Sequence, residues 1–349
     1  MKKIGKIKKF LCVVLSAVFC VGVAGCKGDE VSTGESETVT LVPIANPAEI
    51  SPALGYDYYL AAEPLASAKV KATANGQSPL YVVGDLQALY GGEDGYPQAV
   101  LVAKNSFIQA NGGWLDGVLS DLTGATEWLL KDTTEIATVV SAVQSHLTEG
   151  LTPSLKVGNL SREVIEHCGV RFVPAQADKV RVNTFLSELI GVAGDSAKTV
   201  ADKFFYVAGE SVAQSQAVAQ VYMPDGAPAL AMAKFMSEGR EDCAFHVVDA
   251  STIATFVTGA NPTADLCVLP LNAASKLLGT GEKYTMLGTV TNGNLFLLST
   301  SQEKIESAED LRGLAGKKVG TIQINNVPGL TLKLILKKYG LAYSEQGLV

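Results

Sequence analysis

From Val221 onward the sequence repeats one unit three times, and this repeat narrows the possible folds more than any other feature. Each unit is a short apolar run, then a turn built on Pro, Asp, Asn or Ser, then an amphipathic stretch that stops near a glycine. Val221–Met223 leads through Pro224–Pro228 toward Gly239. Phe245–Val248 leads through Asp249-Ala250-Ser251 toward Gly259. Leu266–Leu269 leads through Pro270-Leu271-Asn272 toward Gly279. Glycine accepts the left-handed conformation that closes a helix. Strands alternating with helices predict a parallel sheet covered on both faces. In such sheets the turns after the strands line the edge where ligands bind.

The same logic extends along the chain. Met286–Val290 and Leu295–Leu298 are β-rich runs around Thr291–Asn294, Glu303–Gly313 reads as helix, and Lys318–Ile322 as strand. Asn325–Gly329 then opens a helix to Lys338, stopped by Gly340. Upstream, Val39–Pro43, Tyr58–Ala62 and Ala99–Val102 read as strands. Ala48–Leu54 reads as a short helix, and Glu63-Pro64 opens another that runs to Thr73. Residues 105–205 read as mainly helical, through Trp114–Leu130, Ile136–Leu147, Arg162–Cys168 and Lys179–Ile190.

The N-terminus predicts where the protein works. Lys2, Lys3, Lys6, Lys8 and Lys9 precede Phe10–Val23, which is apolar apart from Ser16 and Gly22. That run is too short to span a bilayer, which takes ~20 residues, and it suits the apolar core of a signal peptide. It ends Val23-Ala24-Gly25-Cys26, which resembles the lipobox of bacterial lipoproteins. The expectation is cleavage after residue 25, lipidation of the Cys26 thiol, and a flexible tether over 26–38 rich in Ser, Thr and Glu. Without the five lysines of residues 1–25, the 28 basic residues fall to 23 against 35 acidic ones, a net of −12. That balance argues against nucleic acid as a partner. Of six cysteines, Cys168, Cys243 and Cys267 remain after Cys12, Cys20 and Cys26 are assigned to signal and anchor. No CxxC occurs, and the three read as buried small hydrophobes. His146, His167 and His246 lack metal-ligand spacing. No P-loop, GxSxG or HExxH occurs. Neither metal nor cofactor is expected.

Five segments resemble the type II solute-binding proteins of ABC importers, in the branch that binds aliphatic sulfonates, nitrate, taurine and thiamine precursors. They are the turn Pro224–Pro228, DLCVLPLNAASKL at Asp265–Leu277, LAGKKVGT at Leu314–Thr321, NNVPGLTLKLILKKYGL at Asn325–Leu341, and YDYYLAAEPLASA at Tyr56–Ala68. The likeness covers nearly all of residues 39–349. Its order departs from the family, where the segment like Val221–Val349 comes first and the segment like Val39–Tyr206 follows. The chain therefore reads as a circular permutation, with Glu210–Gln220 joining the family's usual ends, a reordering that domains with neighbouring termini tolerate. The resemblance implies a two-lobed α/β fold, each lobe a mostly parallel sheet flanked by helices, with a ligand cleft between them. In this order 98–300 is the first lobe and 39–97 plus 301–349 the second, with crossings near Tyr96–Gln98 and Ser299–Glu303. The implied function is a lipid-anchored binder on the extracytoplasmic face, delivering a small organic solute to the permease and ATPase of an importer.

Candidate contacts come from the strand-end turns. Asp225, Gly226 and Ala227 offer a carboxylate and helix-start amides, although an Asp before a Pro-started helix is equally an N-cap. Asp249 and Ser251 read as a cap. Asn272 faces the cleft or caps its helix. Asn292 and Asn294 flank Gly293, and Asn292-Gly293 between apolar runs is also a hairpin signal. Asn325 and Asn326 precede a helix start, where free amides hold polar groups. The resemblance points the loop of Glu63 at the cleft; the alternative is a first-turn Glu favoured by the helix dipole. No Lys or Arg lies in these turns, which favours a neutral or cationic solute with several hydrogen-bonding edges over an anion. A different reading is an enzyme on the same bilobal frame, like a pyrimidine-precursor synthase, which needs a reactive His or Cys at a strand-end turn. Cys267 and His246 lie inside strand patterns, which favours the binder. A third is a ligand-sensing lipoprotein.

Overall fold

The strand–helix alternation resolves into two six-stranded sheets. The computed structural model describes residues 37–347 apart from 93, 211, 216 and 282. The expected signal peptide, Cys26 and most of the expected tether lie outside the described residues.

The chain begins with β1 (Val39–Ile44), β2 (Tyr58–Ala62), α1 (Leu65–Thr73), β3 (Tyr81–Asp85) and α2 (Leu86–Tyr90). It then builds β4 (Ala99–Lys104), α3 (Asn105–Trp128), α4 (Ile136–Gln144), α5 (Arg162–His167), β5 (Val170–Pro174) and α6 (Ala175–Ala193). The repeated units follow as β6 (Ala219–Pro224), α7 (Ala227–Leu230), α8 (Ala233–Glu238), β7 (Cys243–Val248), β8 (Leu266–Pro270) and α9 (Leu271–Thr280). The last stretch holds β9 (Tyr284–Thr291), β10 (Leu295–Ser299), α10 (Ala308–Leu311), β11 (Lys318–Ile322), α11 (Val327–Lys338) and β12 (Tyr343–Glu345).

The first sheet runs β12-β1-β11-β2-β10-β3 and the second β5-β9-β4-β8-β6-β7. In the first, β12, β1, β11 and β2 are parallel neighbours, while β10 is antiparallel to both β2 and β3. In the second, β8, β6 and β7 are parallel, and β5, β9, β4 and β8 pair antiparallel. The expectation of mostly parallel sheets is thus corrected to two mixed ones. The antiparallel strands are the ones by which the chain passes between sheets. It leaves the first after β3 and enters the second at β4, then returns from β9 to β10.

That return corrects two further expectations. β10 hydrogen-bonds β2 and β3, so residues 295–299 belong to the first sheet, and the crossing lies at Asn292–Asn294 instead of Ser299–Glu303. Asn292-Gly293 is not a hairpin turn, because β9 and β10 stand in different sheets. β5 also interrupts the stretch read as helical. Its Val170 pairs with Thr291, and its alternation of buried Val170, exposed Arg171 and buried Phe172 is too short a signal to stand out between two helices. The helix expected after β7 is one 3-10 turn, Ile253–Phe256.

Local chemistry explains the element starts. Ser161 accepts from the Val164 N–H at the head of α5, and Asp85 from Gln87 and Ala88 at the head of α2. Ser307 and Asp310 form a reciprocal capping box on α10, which satisfies two amides that lack helical partners. Gly239 and Gly340, at φ +65° and +75°, turn the chain after α8 and α11.

Alternation along the strands buries both faces of the second sheet. Val100 and Val102 of β4 and Cys267 and Leu269 of β8 enter one apolar cluster, while Leu101, Ala103, Leu266 and Val268 enter another. The first cluster also takes in the first sheet and α6, α9 and α11, so one continuous core touches both sheets. Helix α6 follows a strand of the second sheet yet packs on α11. Its Phe185 stacks on Tyr96 at 5.2 Å and meets Tyr90 edge-on at 5.5 Å. Truncating such a buried ring costs about 3–5 kcal/mol.

Candidate functional site

The strand directions bring the carboxyl ends of both sheets to the crossing. Leu295 at the start of β10 pairs with Ala62 at the end of β2, and Phe296 with Asp85 at the end of β3. In the second sheet Ala99, where β4 begins, pairs with Pro270 and Thr291, the ends of β8 and β9. The turns that carry Glu63, Asn272, Asn292 and Asn294 therefore sit along one seam between the sheets.

At the centre of the seam Asn294 is buried and fully engaged. Its Nδ2 donates to Glu63 O at 2.9 Å, and its Oδ1 accepts from Gln98 Nε2 at 2.6 Å. Its backbone oxygen accepts from the Glu63 N–H at 2.8 Å. Gln87 Oε1 receives both Tyr96 Oη and the Leu295 N–H. The adjoining Asn292 accepts from Arg181 Nη2 at 2.5 Å and donates to Arg171 O at 2.9 Å. Arg181 grips the buried Asp178 through two nitrogens, and Thr289 Oγ1 donates to that carboxylate. The backbone carbonyls of Asn292 and Gly293 each press against a glycine at positive φ. A Cβ on Gly95 would stand 2.4 Å from Asn292 O, and one on Gly169 2.2 Å from Gly293 O. Only glycine allows this approach. Asn292 and Asn294 thus act first as structural braces.

On one side of the crossing, Asn272 at the head of α9 meets Asn325 and Asn326 at the head of α11. Asn272 Nδ2 makes long bonds to Asn325 O at 3.3 Å, Asn326 Oδ1 at 3.4 Å and Ser196 O at 3.3 Å. Its Oδ1 is buried with no donor among the described residues. Asn326 takes the N-cap position of α11 without a side-chain cap bond. The start of α11 is pressed close, since a Cβ on Gly329 would lie 2.4 Å from Ile324 Cα.

Asp225 lies apart from that trio. Its Oδ2 accepts from the Ser154 N–H at 2.6 Å and its Oδ1 from the Gly226 N–H at 2.8 Å. Gly226 takes φ +102°, and Ala227 is buried. The carboxylate thereby pins the loop before α5 to the end of β6. Glu63 is buried, with its oxygens taken by Ser67 Oγ at 2.6 Å and the Ser67 N–H at 3.1 Å, as a first-turn carboxylate would be. Burial pushes its pKa up, and the Ser67 bonds and His167 offset part of that. Hydrogen bonds thus join Glu63 to Asn294 and Asn272 to Asn325 and Asn326, and hold Asp225 to Ser154.

On the other side of the crossing lies a cleft of about 570 Å³. Asp85 and Gln87 form one wall, His167 and Arg171 the other, and Asn292-Gly293 the floor. Phe296 adds a ring 5.5 Å from that of His167.

The reactive side chains offer little to covalent chemistry. Burial raises the Cys168 and Cys267 thiols well above the ordinary range, and pushes Cys243 up to about 12. The thiolate is the nucleophile, and these thiols stay protonated at neutral pH. His246 is held by Gln220 and stacks on Tyr222 at 4.3 Å, and burial lowers its pKa. No group of His, Cys, Asp and Glu among the described residues has metal-site geometry. Sequence reasoning missed Gln87, Gln98, Asp178 and Arg181. Asp178 and Arg181 are an ordinary i,i+3 helix pair in sequence, and the partners that tie these two, Gln87 and Gln98 to the crossing lie 111 to 208 positions away, which leaves no local pattern.

Comparison with protein-family models, with curated proteins and with solved structures finds no match.

Proposed function

We propose that this chain is an extracytoplasmic solute-binding lipoprotein of the type II periplasmic-binding-protein kind, in permuted order, that hands a small organic solute to an ABC importer. One observation carries the reading. Turns from two separate stretches of chain, Asn272 and Asn325-Asn326, converge from different sheets, and a buried acceptor, Asn272 Oδ1, has no donor among the described residues. A buried polar atom left unpaired costs about 1–3 kcal/mol, and an N–H from a bound solute would remove that cost. In the first turns of α9 and α11 the Leu271 N–H already donates to Gln98 O and Pro328 has no N–H, and the remaining first-turn amides, which lack helical acceptors by construction, supply donors beside this acceptor. A neutral solute with adjacent donor and acceptor edges, such as an amide or a heterocycle with ring N–H and carbonyl, fits that pair. The two carboxylates expected to select charge, Asp225 and Glu63, are already occupied by donors of the chain itself. They tune the site through its shape, and the Asn amides carry recognition.

Thermal-shift screening of amides, pyrimidines, amines, sulfonates and nitrate tests the proposal. A true solute at ~100 Kd adds about 2.7 kcal/mol of stability. The effect should vanish in Asn272→Ala and persist in Asp225→Asn. Stabilisation by a simple sulfonate that survives Asn272→Ala would sink the reading.

A further inference from the structure

Among the described residues every backbone at positive φ belongs to a glycine except that of Gln323, at φ +44°. A side chain in this left-handed region brings its Cβ against the following carbonyl oxygen, a cost that glycine does not bear. Asn and Asp lessen it with short side chains that hydrogen-bond locally, and glutamine is longer. The turn itself demands the conformation. Strand β11 ends at Ile322, and Gln323 O accepts from the Asn326 N–H at 2.8 Å as the chain folds into α11. The fold is tight, since the Ile324 backbone lies close against Gly329. A glycine at 323 would make the same turn without strain.

The glutamine side chain makes no hydrogen bond that offsets this strain. Gln323 is half-buried, and its side-chain amide has no partner among the described residues. A strained residue without a contact inside the fold points to a contact outside it. Gln323 also stands at the solute site. Thr321 pairs with Leu60, so the residue two further on lies level with the end of β2, at the seam. The ends of such a four-residue turn lie within ~7 Å of each other, which sets Gln323 beside Asn326. Asn325 O and Asn326 Oδ1 both contact Asn272 Nδ2. Asn272 is only 4% exposed, and its Oδ1 lacks a donor among the described residues. A free amide and a free buried acceptor thus border one contact.

We propose, on the basis of the solute-binding reading, that Gln323 sets which solute this site accepts. The class is neutral compounds that hold a C=O and two N–H groups, namely primary carboxamides and cyclic ureas. A glutamine amide carries an N–H donor and a C=O acceptor side by side. The solute's C=O and one N–H form two parallel bonds with it, and the second N–H reaches Asn272 Oδ1. Sulfonate and nitrate carry acceptors only and an ammonium donors only, so neither completes the pair.

Thermal-shift titration of the full chain in detergent tests this. The probes are acetamide, benzamide, imidazolidin-2-one and uracil, against ethanesulfonate, nitrate and ethylammonium. At least one of the first four should raise the melting temperature, and none of the last three should. Gln323→Gly removes side chain and strain together. It should melt no lower than the parent, yet bind the stabilising compound about tenfold more weakly. Gln323→Glu keeps the length without the donor and should weaken binding likewise. Stabilisation that survives Gln323→Gly but not Asn272→Ala overturns the role of Gln323 alone. Stabilisation that survives Asn272→Ala overturns the solute reading beneath it. The role of Gln323 is also overturned if none of the four carbonyl compounds stabilises, if an ion of the second set does so as well as they do, or if Gln323→Gly melts below the parent, which would make the side chain structural.

Discussion

Glu63 and Asn294 are joined by two reciprocal hydrogen bonds, Glu63 N–H to Asn294 O at 2.8 Å and Asn294 Nδ2 to Glu63 O at 2.9 Å. This pair fastens the turn after β2 to the strand crossing, and Gln98 completes the Asn294 side chain from the other crossing. Asn294→Ala strips a partner from the buried Glu63 carbonyl and from the half-buried Gln98 amide at once. A loss of about 2–3 kcal/mol is expected, read as a lower urea midpoint with unchanged slope. A midpoint within experimental error of the parent would show that the pair is not a brace.

Arg181 is the second brace. It binds the nearly inaccessible Asp178 through Nε and Nη2 and reaches Asn292 with the same Nη2. Arg181→Met leaves Asp178 as a buried charge with only Thr289 beside it, and removing one partner of such a pair costs about 3–5 kcal/mol. Adding Asp178→Asn should restore part of the loss. If the double variant is no more stable than the single one, burial of the Asp178 charge is not the cause.

Glu63 predicts a pH dependence of fixed sign. Burial holds its folded pKa above the ordinary carboxylate value. Its contribution is therefore fully present below the unfolded pKa, near 4.5, and is lost as pH rises through the folded value. Glu63→Gln does not ionise, so it should gain on the parent as pH rises above about 4.5. Melting temperatures of the two proteins at acid and neutral pH check this. Curves that stay parallel, or a variant that gains toward acid, would contradict it.

Much of the fold was legible because its units are local. Strand β2 matches its sequence range, and the β11–α11 unit matches both its strand and its helix end at Lys338. Their patterns need only neighbours. What was not legible depends on partners far away. Leu295–Leu298 reads as a strand from its own composition, but only its pairing with Tyr59–Ala62 places it in the first sheet. Asn292-Gly293 carries a hairpin signal that tertiary structure overrides, since Gly95 and Gly169 accept the peptide as a crossing. At the site, the meeting of Asn272 with Asn325 and Asn326 follows the expectation of convergent strand-end turns. The capture of Asp225 by Ser154 does not, because nothing in the local sequence says that a loop seventy residues earlier folds over it.

The anchor prediction rests on the sequence alone. Cys26 ends a short apolar run in Val23-Ala24-Gly25-Cys26. Expression of Cys26→Ser in a bacterial host, followed by fractionation, should move the protein from the membrane to the soluble fraction. A variant that stays membrane-bound as fully as the parent would remove lipidation from the account.

Native mass spectrometry of the chain purified from its own host tests solute capture most directly. The account predicts a small organic mass bound one to one on the parent, lost in Asn272→Ala with Asn326→Ala, and retained in Asp225→Asn. A bound mass that survives the Asn272 and Asn326 substitutions, or a parent free of any small molecule in every gentle preparation, would contradict it.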